Sequence, residues 1–202
     1  MRRGFTLLEI TVTAVLLSMV MLLAVRFLVP TMRISARGTM RVEMQQTAVV
    51  ALNRLISDYE RSSPAGIGLR LTAPVAVSIC PVVRVQPDGA DVWSDSFILY
   101  SYDVPSRKLL RREWPPGAPS ATTEEVTITK ARRLSPDRIA GILAEPPARQ
   151  IILAADVEGF QILQPPGATP DMLIQPVRFQ LTLKRQDQTF TCTRSAFVRN
   201  LR

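Results

Sequence analysis

Met1-Arg2-Arg3-Gly4-Phe5-Thr6-Leu7-Leu8-Glu9-Ile10 opens a stretch that stays apolar as far as Val29. The 25 residues from Phe5 to Val29 would make a helix of roughly 37 Å, enough to cross a bilayer core of roughly 30 Å. Arg2 and Arg3 ahead of it favour a cytoplasmic start and an outward-facing remainder. A secretory signal would be shorter and would end at a small-residue cleavage site. This segment runs instead into Arg26-Phe27-Leu28-Val29-Pro30 and a helix-like continuation. Nor do the paired arginines make a twin-arginine export signal, because the apolar segment follows too closely and is too long. Glu9 stands out. A carboxylate inside a membrane span costs on the order of 2–3 kcal/mol, so it needs a partner or a task. Either it snorkels to the headgroups near the helix end, or it meets a positive charge at its own depth. Cleavage after Gly4 would expose the Phe5 amine there, and the amine of a neighbouring subunit could then neutralise Glu9 and set the register between packed helices.

The chain has 202 residues, enough for one globular domain plus an extra element. Hydrophobic residues make up 47%, ample for a core even outside the N-terminal block, so disorder is not expected. There is no histidine, which removes Ser-His-Asp and Cys-His catalysis and any His-bearing zinc site. Cys80 and Cys192 are too few for a thiolate zinc site or an iron–sulfur cluster. An enzyme would have to use carboxylates such as Glu124, Glu125 or Asp156, and no spacing pairs them. No enzymatic activity, cofactor or metal is therefore expected.

Past Pro30 a helical stretch is expected to about Arg61. Val49, Leu52, Ile56 and Tyr59 recur at helical spacing, flanked by Met44, Ala48, Ala51 and Leu55, as an amphipathic face on a domain core. Beyond Ser62-Ser63-Pro64-Ala65-Gly66 the pattern changes to strands: Val75–Gln86, with Pro81 marking an edge or bulge; Phe97–Tyr102; Leu109–Trp114; Val126–Thr129; and Gln150–Leu163, with Glu158-Gly159 marking a bulge or turn. Pro87-Asp88-Gly89 and Pro105-Ser106 read as turns, and Pro115–Ser120 as a loop. Ser135-Pro136-Asp137 has the chemistry of a helix start, for a short helix to Leu143. Val177–Lys184 and Thr189–Val198 flank the polar turn Arg185–Gln188 as a hairpin. One long helix followed by runs of strands predicts an α+β fold with an antiparallel sheet. Its parts would be a transmembrane half-helix over 5–29, an amphipathic half-helix over 30–63 and a β-rich domain over 64–202.

Arg3-Gly4-Phe5-Thr6-Leu7-Leu8-Glu9 resembles the class III signal of type IV pilins and of the pseudopilins of type II secretion. The resemblance implies that residues 1–4 are a leader, that prepilin peptidase cuts between Gly4 and Phe5 and methylates the Phe5 amine, and that Glu9 is the pilin glutamate that pairs with a neighbour's N-terminus. Many major pilins kink at a proline near the end of the span; Pro30 lies slightly beyond the usual position, with Arg26 before it. Three later segments are similar to J-type minor pseudopilins and W-type minor pilins: Ala51–Arg61, where Tyr59 stands in place of a leucine, Val157–Ile162, and Ser195–Asn200. The resemblance implies a minor pilin or pseudopilin, a structural subunit of the inner membrane that primes or caps a short filament. Its partners would be other minor and major pilins or pseudopilins, prepilin peptidase, the inner-membrane assembly platform and membrane lipid. The β-rich domain would be periplasmic.

Outside the cytoplasm Cys80 and Cys192 are either joined in a disulfide or are two small buried hydrophobes. Asp88, Asp91 and Asp95 share a loop but lack EF-hand spacing, so a solvated turn is expected rather than a calcium site. The formal charge of +8 falls by two without Arg2 and Arg3. Arg107, Lys108, Arg111 and Arg112, then Lys130, Arg132 and Arg133, are the candidate basic patches. They would suit a DNA-uptake or adhesion pilin, but only Trp114 supplies aromatic interleaving, so a solvated face or subunit contact is expected and nucleic acid is not.

Overall fold

The computed structural model describes residues 6–89, 91–114, 133–146, 149–167 and 173–198. Helix α1 runs unbroken over Leu7–Glu60, with Pro30 inside it. By its contacts the chain divides into two units, Met1–Glu43 and Met44–Arg202. In the first, the large apolar side chains of α1 are exposed from Leu7 to Val29, and the helix is long and apolar enough to cross a membrane. Its hydroxyls are satisfied within the helix: Thr13 donates to the Glu9 carbonyl at 2.7 Å, Ser18 to Ala14 at 2.7 Å and Thr31 to Phe27 at 2.7 Å. Such back-bonding lets polar side chains sit in a medium without water. Pro30 has no N–H to give the Arg26 carbonyl, yet the helix continues through it.

The expected packing face begins at Met44, as its residues imply, and differs in its rotation. Residues 31–43 are exposed, Met40 alone being half-buried, and burial begins at Met44. Arg33, Ser35, Arg37, Gly38, Arg41 and Glu43 leave that stretch without an apolar face wide enough to bury. From Met44 onward the buried positions are Met44, Ala48, Ala51, Leu52, Leu55, Asp58 and Tyr59, while Val49 and Ile56 are only half-buried.

Among the described residues ten strands follow α1: β1 (Ile67–Arg70), β2 (Ala76–Ile79), β3 (Val82–Val85), β4 (Asp91–Trp93), β5 (Phe97–Asp103), β6 (Lys108–Trp114), β7 (Gln150–Ala154), β8 (Val157–Leu163), β9 (Val177–Arg185) and β10 (Gln188–Ala196), with α2 (Pro136–Ala144) between β6 and β7. They form antiparallel sheets in the orders β1-β2-β5-β6-β7, β10-β9-β8 and β3-β4. The fold is α+β. Pro81, expected to mark an edge or bulge, separates β2 from β3, which leaves for the two-stranded sheet with β4. The single strand expected over Gln150–Leu163 is two strands in different sheets. The chain turns at Asp156, whose φ is +58°, before the bulge at Val157–Gly159. The expected Val126–Thr129 strand lies outside the described residues.

The five-stranded sheet is covered on both faces, which accounts for the unbroken apolar run Phe97-Ile98-Leu99-Tyr100. Phe97 and Leu99 pack with Ile139 and Ile142 of α2, Ala76, Cys80 and Trp93. The Ser135 hydroxyl caps α2 by accepting the Arg138 N–H at 3.3 Å, as the sequence predicts. On the other face Tyr100 reaches α1. Tyr59 of α1 meets Phe179 of β9 edge-on at 5.4 Å, and Phe160 of β8 stacks on Phe179 at 6.4 Å, so one helix face serves two sheets. Backbones close in beside β1: a Cβ on Gly68 would collide with the Leu134 carbonyl oxygen, so no side chain fits there.

Candidate functional site

Gly4 and Phe5 lie outside the described residues; Glu9 is described, in the first turn of α1. Its Oε2 accepts the backbone N–H of Thr6 at 3.0 Å and the Thr6 hydroxyl at 3.1 Å, while the Thr6 hydroxyl oxygen accepts the Glu9 N–H at 3.3 Å. This is a reciprocal capping box, in which residue and cap satisfy each other's orphan groups at the start of a helix. Oε2 is thereby engaged within the chain, and Oε1 takes no hydrogen bond among the described residues. The spacing Thr6-x-x-Glu9 is itself a helix-start signature, so this second role was legible in the sequence. A carboxylate at a helix N-terminus also meets the positive end of the helix dipole, which offsets part of its desolvation. Every other side chain described from Leu7 to Val25 is uncharged.

A second polar cluster, which the sequence did not reveal, lies under the C-terminal half of α1. Asp58 is 2% exposed. Its Oδ2 accepts the Tyr100 hydroxyl at 2.6 Å and Arg111 Nε at 3.0 Å, and Arg54 Nε stands 3.8 Å away. Arg111, itself 7% exposed, also reaches Glu113 Oε1 at 2.8 Å. Tyr100 and Arg111 are directly opposite in β5 and β6, so the sheet presents both to the same turn of α1. Burial lowers the affinity of Arg111 for its proton, but the bonds to Glu113 and Asp58 outweigh it, and the guanidinium is held above its usual range. Burial first, and the bond to Asp58 second, push the Tyr100 phenol up; burial alone does the same to Tyr59.

Three of the candidate basic side chains thus make hydrogen bonds within the fold. Besides Arg111, Arg107 gives Nη2 to the Lys184 carbonyl at 3.0 Å, and Arg112 gives Nη1 to the Leu143 carbonyl at 3.2 Å. Burial pushes Arg112 down. Lys130 and Arg132 lie outside the described residues, as do Glu124 and Glu125. Asp156, the remaining carboxylate considered for catalysis, pairs with Arg185 at 2.9 Å. Trp114 stacks under Arg138 at 5.3 Å and donates to Glu145 at 3.2 Å, so it is committed to the fold rather than to a base.

Of the two alternatives for the cysteines, Cys80 and Cys192 are not bonded to each other, Cys80 being buried and Cys192 half-buried. Cys80 follows β2 in the core beside α2, where its thiol faces the Ser94 carbonyl at 3.5 Å, while Cys192 sits in β10 of another sheet. Among the described residues no group of three or more cysteines and carboxylates could hold a metal ion, Asp88, Asp91 and Asp95 included.

A shallow hollow of about 350 Å³ opens between Pro74, Ser101, Asp103, Arg112 and Leu143, with Asp103 offsetting the Arg112 charge. No protein-family model matches the chain, and no curated protein or solved structure matches it either.

Proposed function

We propose that the chain is a minor pilin or pseudopilin: a structural subunit anchored in the inner membrane by α1 and drawn from it into a short filament. The observation that carries this is the exposed apolar stretch of α1 from Leu7 to Val29, with one carboxylate, Glu9, poised at its N-terminal turn. Lipid covers such a surface before assembly, and the stems of like subunits cover it afterwards. In this mechanism prepilin peptidase removes residues 1–4 and methylates Phe5. Glu9 keeps Oε2 on its own Thr6 and offers Oε1 to the amine of a neighbouring Phe5, so that one carboxylate caps its helix and sets the register between stems.

The β-rich domain stays on the periplasmic side and contacts other minor subunits, which fits the J-type and W-type resemblance. A DNA-uptake or adhesion role through a basic surface is less favoured, because Arg111 is buried on Asp58 and Glu113, while Arg107 and Arg112 each bind a backbone carbonyl.

The test separates processing from assembly. Glu9→Val should be cleaved and methylated normally, yet enter filaments at about a tenth of the wild-type level or less, the loss expected for an unpaired charge in a packed span. Gly4→Leu should remain uncleaved. Normal filament incorporation of Glu9→Val would remove the pairing role.

A further inference from the structure

Strand β10 ends its sheet: among the described residues nothing pairs with its outer edge. It is nine residues long and matches β9 without a bulge from Gln188↔Arg185 to Ala196↔Val177. Proline, lysine and bulges, which blunt many edges, are absent from the strand, and Arg194 is its one charged side chain.

Its backbone phase follows from β9. The Lys184 N–H points away from β10, to the Asp156 carbonyl at 2.9 Å, so Lys184↔Thr189 is a pair without mutual hydrogen bonds. By alternation Thr189, Thr191, Thr193 and Ser195 turn their N–H and C=O groups outward, and Cys192 turns its own inward to β9.

The side chains are self-complementary about the middle residue, Cys192. Folding the sequence Gln188-Thr189-Phe190-Thr191-Cys192-Thr193-Arg194-Ser195-Ala196 antiparallel on itself places Thr191 opposite Thr193, Thr189 opposite Ser195, and Phe190 opposite Arg194. Those are two hydroxyl pairs and a cation–π pair, repeated by symmetry, with no like charges opposed. The outward-facing backbones fall on the Thr191/Thr193 and Thr189/Ser195 pairs, where an antiparallel ladder needs them.

We propose that β10 is a homotypic docking edge: two copies of the chain join by antiparallel β10–β10 pairing about a two-fold axis at Cys192, merging two three-stranded sheets into one of six. In that register the two Cys192 residues form a pair without mutual hydrogen bonds, with Cα atoms about 4.5 Å apart, within disulfide reach. Cys192 is half-buried and serves as a reporter, whereas Cys80 is fully buried.

The experiment uses the full chain in detergent micelles, oxidised with diamide, which accepts the two electrons and two protons that two thiols give up. Wild type should form a dimer on a non-reducing gel, and Cys192→Ser should form none. A Thr191→Lys/Thr193→Lys variant opposes lysines across the axis at exposed positions and should lower the cross-linked fraction about tenfold or more. Mixing it with a Thr191→Glu/Thr193→Glu chain should restore a heterodimer. Absence of the wild-type dimer overturns the proposal. So does a dimer that persists in the lysine variant, since the helices in the micelle would then be bringing the thiols together. Neither result bears on cleavage at Gly4, which is read separately.

Discussion

Asp58 shows how little of a buried polar contact is visible along a chain. Four residues after Arg54 on a helix, it has the appearance of an ordinary surface carboxylate, and its principal partner Arg111 is 53 residues away. Only the register of β5 against β6 brings Tyr100 and Arg111 beneath it. Removing Asp58 leaves Arg111 buried with Glu113 as its remaining partner, and breaking a buried pair costs about 3–5 kcal/mol. Asp58→Ala should therefore lower the unfolding free energy of the β-rich domain by that amount in denaturant titration, and a loss under about 1 kcal/mol would mean the pair is solvated. The phenols of Tyr59 and Tyr100 add a pH dependence. Both are held above their unfolded value of about 10, so the stability they contribute is intact below that pH and is lost as pH climbs toward the folded values. Tyrosinate absorbance should show these two phenols ionising together with the loss of circular dichroism rather than before it. Glu9 is the opposite case. Its position in the span was legible at once, and its bond to Thr6 follows from a spacing of three.

At the scale of elements, the local signals were written in the residues that stop or turn the chain. Ser135-Pro136 starts α2, Gln186-Asp187 turns the β9–β10 hairpin, and Pro81 ends the pairing of β2. What those signals could not carry was the allocation of strands to sheets. Ala155-Asp156 separates β7 from β8 with two residues, and nothing in their composition says that the chain changes sheet there. Strands β1 and β4, four and three residues long, are too short to show an alternation. In α1 the packing face was legible from Met44 onward, but helical spacing alone put Val49 and Ile56 at its centre, whereas the buried stripe runs through Ala48, Ala51, Leu52, Leu55 and Tyr59. If burial begins at Met44, a chain covering residues 44–202 should be water-soluble and should unfold in one cooperative transition by circular dichroism. Aggregation of that chain, with cooperative folding regained on restoring residues 31–43, would contradict the boundary.

For the whole molecule, two units divide the work. The first exposes its large apolar side chains from Leu7 to Val29, and the second buries a core on both faces of its five-stranded sheet. Proteins that move between lipid and a packed filament require that division, with a helix whose surface suits both and a domain that stays folded throughout. The central claim is that this helix is a pilin stem, and it depends on what happens at Gly4 and Phe5. The most direct measurement is the N-terminal mass of the protein purified from membranes of cells with an active prepilin peptidase. A chain that begins at Phe5 and carries one methyl group on its amine is the predicted result. A chain still beginning at Met1 would contradict it, leaving Glu9 as a helix cap in a membrane anchor and the β-rich domain as a tethered module.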